Sequence, residues 1–115
     1  MKILLFGASG CFGTELISSC NKKNISLIHQ PSSKLNILNY DELEKKITIE
    51  KPDVVVNSTA IVGINQCEEN YNKAFALNSV GPLNLAKICS KLDITLIFLT
   101  LFSYFVSKSW TACLT

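Results

Sequence analysis

Three short runs of this chain are apolar at nearly every position: Lys2-Ile3-Leu4-Leu5-Phe6, Asp53-Val54-Val55-Val56 and Ile94-Thr95-Leu96-Ile97-Phe98-Leu99. A strand with one wet face alternates polar and apolar residues, whereas a strand covered on both faces does not. The runs therefore predict strands buried on both sides, as in a parallel sheet. Ile25-Ser26-Leu27-Ile28-His29 is a fourth, weaker candidate. Helical patterns lie between them. Phe12 to Lys23 carries Leu16, Ile17 and Cys20 on one face. Asp41 to Ile49 opens with acids, which suit a helix N-terminus, and closes near Lys51-Pro52. Ala74, Leu77, Gly81, Leu85, Ile88 and Leu92 recur at spacings of three and four, an amphipathic stripe. Pro82 should kink or divide that helix, and Gly81 on its buried side should let it approach the sheet closely. The order β-α-β-α-β-α-β implies a doubly wound α/β fold with about four to five parallel strands, which is incomplete for this class.

Composition narrows what such a fold can do here. The 115 residues are 48% hydrophobic and 17% charged, so a core is expected and intrinsic disorder is not. The length fits one domain, with residues 1–100 as the folded unit and 101–115 as an atypical tail. Net charge is +2 from eleven lysines and nine acids, with no arginine. That leaves no basic patch for nucleic acid and no guanidinium to clamp a phosphate. Cys11, Cys20, Cys67, Cys89 and Cys113 are odd in number and lack CxxC spacing, which argues against zinc and disulfide frameworks. Reduced thiols in a cytoplasmic protein are expected. The apolar start is four residues long, short of the roughly 7–15 of a secretory signal. The longest apolar stretch, Ile94 to Val106, is shorter than the ~20 residues of a membrane span. Neither a membrane partner nor a metal is expected, and the oligomeric state is open.

Chemistry is expected at strand ends. Gly7-Ala8-Ser9-Gly10-Cys11-Phe12-Gly13 follows the first run and opens the first helix, reading G-x-x-G-x-x-G. Such glycines permit a tight turn and close approach to a pyrophosphate, beside free N–H groups at the helix start. At Gly10 a side chain would stand between backbone and pyrophosphate, and a positive φ is a further expectation there. Val56-Asn57-Ser58-Thr59-Ala60 ends the third strand with small residues that would let a cofactor lie over the sheet edge. Leu35-Asn36-Ile37-Leu38 and Asn78 complete the candidates. His29, the one histidine, reads as strand-end surface.

These segments, in this order, resemble the extended short-chain dehydrogenase/reductase family, in its dTDP-4-dehydrorhamnose reductase branch. The resemblance rests on Lys2 to Gly13, Leu35-Asn36-Ile37, Lys51 to Ala60, and Asn65 through Ala86, and it covers residues 1 to about 99. It implies a Rossmann-like fold and NAD(P)H-dependent reduction of a 4-keto group on a nucleotide-linked deoxysugar. By this resemblance Gly7, Gly10, Cys11, Phe12 and Gly13 would cradle the pyrophosphate. Asn36 and Ile37 would lie near the adenine, Ser58, Thr59 and Ala60 would face the cofactor midsection, and Asn78 would keep the sheet end in shape.

Departures from the family pattern qualify the expectation. Asn36 and Asn65 stand where the family commonly has Asp. No acid follows the second strand to hold a ribose 2′-OH, and Lys34 with two serines could accept a 2′-phosphate, which leans towards NADPH over NADH. Thr100 stands at the family's Ser/Thr position. Beyond it, Tyr104 and Lys108 spell Tyr-x-x-Ser-Lys, but four residues after Thr100 leave no length for the loop that precedes the family's Tyr-x-x-x-Lys helix. We therefore expect no working Tyr–Lys dyad, and a chain that is a truncated or frameshifted cofactor-binding portion. The alternative is a non-catalytic NAD(P)-binding or regulatory module of the same fold. A nucleotide-sugar epimerase or dehydratase would share the glycine loop, but the Lys51–Ala86 stretch fits the reductase branch better.

Overall fold

In the computed structural model the described residues are 1–30, 34–59 and 71–99. They form strands β1 (Lys2–Phe6), β2 (Ser26–His29), β3 (Val54–Asn57) and β4 (Thr95–Phe98), with helices α1 (Cys11–Lys22), α2 (Tyr40–Glu50), α3 (Tyr71–Phe75) and α4 (Gly81–Leu92). The strands make one parallel sheet in the order β2-β1-β3-β4. The chain thus steps from β1 out to β2, then back across to β3 on the other side of β1.

Strand alternation divides the core into two layers. Ile3, Leu5 and Val56 pack with Leu16, Ile17 and Cys20 of α1 on one face. Leu4, Phe6 and Val55 pack with Leu43 and Ile47 of α2 and Leu85, Ile88 and Cys89 of α4 on the other. Both faces of β1 are covered, which explains its unbroken apolar run. The expectation fails for β4. Ile97 is 44% and Phe98 36% exposed. Among the described residues this strand lies at the sheet edge, and an apolar run says that both faces are greasy, not that a layer covers them.

Local chemistry sets the helix ends. Asn39 caps α2, its side chain accepting from the Glu42 N–H at 3.3 Å, with Asp41 and Glu42 in the first turn. Lys51, in the left-handed region at φ 48°, ends it ahead of buried Pro52. Pro82 has no N–H for the carbonyl four residues back, and the helix is divided there as expected. A π-helical turn, Ala76–Val80, separates α3 from α4, and the Gly81 N–H bonds five residues back to Ala76 O. Gly81 does make a close approach, but to a different neighbour from the one expected. A Cβ there would run into the Ile37 side chain, with Cγ1 at 2.7 Å, and not into the sheet.

At the sheet end away from the glycine loop, Lys2 Nζ donates to Glu50 O at 2.6 Å and pairs with the Glu50 carboxylate at 3.1 Å. Lys46 first and Lys2 second hold that carboxyl below its ordinary pKa. Among the described residues no helix is long and apolar enough to cross a membrane, and no cluster of His, Cys, Asp or Glu could hold a metal.

Candidate nucleotide site

In an open α/β sheet a ligand site forms where successive connections leave in opposite directions, beyond the strand carboxyl ends. Here that point lies between β1 and β3. The loops leaving these two strands carry Gly7 to Gly13 and Ser58-Thr59.

The three glycines do three different jobs. Gly7 has φ +89°, and a Cβ would sit 2.6 Å from Ser58 Oγ, 2.7 Å from Ser58 C and 2.8 Å from Thr59 N. Glycine is required there both by the backbone and by the neighbouring strand exit. Gly13 is buried in the first turn of α1. A Cβ on it would strike the Gly7 carbonyl oxygen and stand 2.8 Å from Ala8 Cα, so glycine lets the helix seat on its own loop. Gly10 is different. Its φ of −78° and ψ of 171° are open to any residue, so the expected positive φ is not observed. A Cβ would meet only Gly7 O, at 3.7 Å. Among the described residues no packing demands glycine at this position.

Gly10 is also the N-cap of α1, with no side-chain cap and no acid in the first turn. The first N–H groups of a helix have no intrahelical acceptor, and among the described residues no first-turn carboxylate competes for them. Cys11 and Phe12 are exposed in that turn. A group bearing phosphate oxygens fits this arrangement in charge and in donor type.

From the β3 side, the Ser58 hydroxyl donates towards Phe6 O at 2.9 Å and Gly7 O at 3.1 Å. Asn57 is fully buried. Its Oδ1 accepts from Thr59 N–H at 3.0 Å and Thr59 Oγ1–H at 2.6 Å, and its Nδ2 has no partner among the described residues. Gly7, Gly10, Gly13, Ser58 and Thr59 are thus gathered at one sheet end. The segment after β2 is organised otherwise. Asn36 is exposed, and its side chain accepts from the Leu38 N–H at 2.9 Å in a local turn. Ile37 is only 4% exposed, with its side chain in the core. Its carbonyl accepts from Asn84 Nδ2 at 3.0 Å. Asn78 is half-buried in the π-helical turn. Ala60, Thr100, Tyr104 and Lys108 lie outside the described residues, as do Ser32, Ser33 and Asn65.

Sequence reading missed Thr14 and Asn84. The Thr14 hydroxyl donates to Gly10 O at 2.8 Å, a bond four residues back along the helix that the G-x-x-G-x-x-G-T spacing could have suggested. Asn84 carries no such signal, because its acceptor is 47 residues away in sequence.

Comparison with known proteins finds relatives over most of this chain. A dTDP-4-dehydrorhamnose reductase of Mycolicibacterium smegmatis is 31% identical over 99 residues, spanning 86% of this chain and 30% of that protein. The crystal structure of a dTDP-4-dehydrorhamnose reductase from Clostridium acetobutylicum superposes with a TM-score of 0.77 at 34% identity, covering 84% of this chain and 34% of that one. The Bacillus anthracis dTDP-4-dehydrorhamnose reductase in complex with NADP shares the fold, with a TM-score of 0.76 at 20% identity over 83% of this chain and 34% of that one. The chain therefore spans about a third of the length of these relatives. Residues 1–106 match the family described as RmlD substrate binding domain, and the chain belongs to that family.

Proposed function

We propose that residues 1–100 are the NAD(P)-binding portion of a sugar-nucleotide 4-ketoreductase of the dTDP-4-dehydrorhamnose reductase type. The observation that carries this reading is Gly10. Its backbone admits any residue, and among the described residues a Cβ there would meet only Gly7 O, at 3.7 Å, beside helix N–H groups with no side-chain cap, which leaves room for a ligand at this point. The similarity to reductases over most of this chain supplies the reaction class.

When bound, the reduced nicotinamide supplies a hydride. The chain's residues hold and orient it. Gly7, Gly10, Cys11, Phe12 and Gly13 receive the pyrophosphate, and Ser58, Thr59 and Ala60 border the midsection. Asn36 and Ile37 lie near the adenine, Asn36 from an exposed position and Ile37 with its side chain in the core. Asn78 keeps the sheet end in shape. Between the end of β2 and α2 there is no acid to grip a ribose diol; the first is Asp41. Lys34 is exposed there. These features favour NADPH over NADH.

Calorimetric titration of the folded chain tests the reading. NADPH should bind with a dissociation constant between high micromolar and millimolar, about −4 to −6 kcal/mol, and NADH more weakly. No heat from either nucleotide at several times that range would refute it.

A further inference from the structure

The glycine loop is held by two hydroxyls from opposite sides. Ser58, just past the end of β3, donates towards the carbonyls of Phe6 and Gly7 at 2.9 and 3.1 Å. Thr14, from α1, donates to Gly10 O at 2.8 Å, with Ala8 O further off at 3.4 Å. Backbone donors act with them: Ser58 N–H to Phe6 O at 2.9 Å, Gly10 N–H to Gly7 O at 3.4 Å, and Thr14 N–H to Gly10 O at 3.0 Å. The carbonyls of Gly7, Ala8 and Gly10 are therefore all drawn towards the protein.

Peptide planarity turns this into a statement about the other side. Among the described residues every peptide is trans, so each C=O points opposite to the next residue's N–H. Drawing in the Gly7, Ala8 and Gly10 carbonyls turns the N–H groups of Ala8, Ser9 and Cys11 the other way. Successive N–H groups aimed into one concavity make an anion site, and a single carbonyl rotated into it would repel the same anion. We propose that Ser58 and Thr14 are positioning residues that preset the loop's peptide orientations for a pyrophosphate before it arrives. This deepens the nucleotide-binding reading and rests on it. Ser58 then acts through the Gly7 carbonyl, in addition to any contact with the cofactor.

Preorganisation makes separable predictions. Thr14 is exposed, so Thr14→Val removes the hydroxyl at nearly constant shape and Thr14→Ser keeps it. Thr14→Val should weaken NADPH about five- to tenfold, the size of one lost hydrogen bond, and Thr14→Ser should restore it. Ser58→Ala should do the same. The second readout needs no nucleotide. In ¹⁵N-edited spectra of the free protein, the Ala8, Ser9 and Cys11 amides should shift or broaden in Thr14→Val and Ser58→Ala but not in Thr14→Ser, while amides of β2 stay in place. Should Ser58→Ala fail to fold, the Thr14 pair carries the test alone. If wild-type chain binds no nucleotide while the amides respond as stated, the nucleotide reading fails and the bracing stands. Wild-type affinity together with unmoved amides in Thr14→Val overturns the inference.

Discussion

Gly10 and Gly13 lie three residues apart, one the N-cap of α1 and the other in its first turn, yet alanine should affect them in opposite ways. At Gly13 a Cβ meets only backbone, with Ala8 Cα at 2.8 Å, Ala8 C at 3.0 Å and the Gly7 carbonyl oxygen nearer still. Backbone cannot swing aside like a side chain, so α1 must lift from its loop. Overpacking of this kind costs about 1–3 kcal/mol. With a urea slope of about 1.5 kcal/mol/M, a 2 kcal/mol loss moves the unfolding midpoint down by roughly 1.3 M. At Gly10 the same methyl touches one atom at 3.7 Å, on a backbone already suited to alanine. Reduced freedom of the unfolded chain favours Gly10→Ala by about 0.4–1 kcal/mol, and alanine's poorer N-capping offsets a similar amount. The net change should stay within about 0.5 kcal/mol. Nucleotide affinity should fall at least tenfold in Gly10→Ala, about 1.4 kcal/mol, and vanish in Gly10→Val. Urea melts and NADPH titrations of the single variants decide the matter. A Gly10→Ala protein that is as destabilised as Gly13→Ala, or that binds NADPH like wild type, would refute the division of roles.

Other consequences can be checked separately. Burial pushes the Cys89 thiol from 9.0 up to about 11, so the unfolded chain ionises first as pH rises. This group's contribution is intact below pH 9 and declines between 9 and 11, by on the order of 2 kcal/mol. Urea stability against pH should fall more steeply over that window in wild type than in Cys89→Ala, and parallel curves would count against it. Lys51 and Asp93 end α2 and α4 in the left-handed region at φ 48° and 56°. Lys51→Gly and Asp93→Gly should each relieve about 0.5–1 kcal/mol of backbone strain, read as a higher melting temperature, whereas a lower one contradicts this. The chain should not turn over NADPH with a dTDP-4-keto-6-deoxyhexose, because no Tyr–Lys dyad at the family's spacing is expected. Turnover abolished by Tyr104→Phe would overturn that expectation.

The fold was largely readable because its cause is repetitive. Apolar runs at residues 2–6, 54–56 and 94–99 each mark a strand, and a stripe broken at Pro82 marks a divided helix. The runs could not reveal which strand was the edge. Ile97 reads like Leu5, yet among the described residues one is 44% exposed and the other 1%, because β1 has a strand on each side there and β4 on one. The glycine loop was legible as a unit, but the division of labour among its glycines was not. Among the described residues that division depends on what lies opposite each α-carbon: Ser58 for Gly7, the loop itself for Gly13, and only Gly7 O at 3.7 Å for Gly10. Ile37 shows the same limit. Its place in the sequence pointed to a ligand edge, and long-range packing against Gly81 put its side chain in the core.

The brace from Ser58 spans 52 residues to Phe6 and 51 to Gly7. During synthesis the glycine loop leaves the ribosome early, but the strand that shapes it follows only after β2 and α2. At roughly 5–20 residues per second the delay is about 3–10 s. Throughout that interval β1, destined for the middle of the sheet, has one side without its partner. On the proposed nucleotide-binding reading, the nascent loop would lack the Ser58 brace throughout that interval, and cofactor capture would wait for the docking of β3.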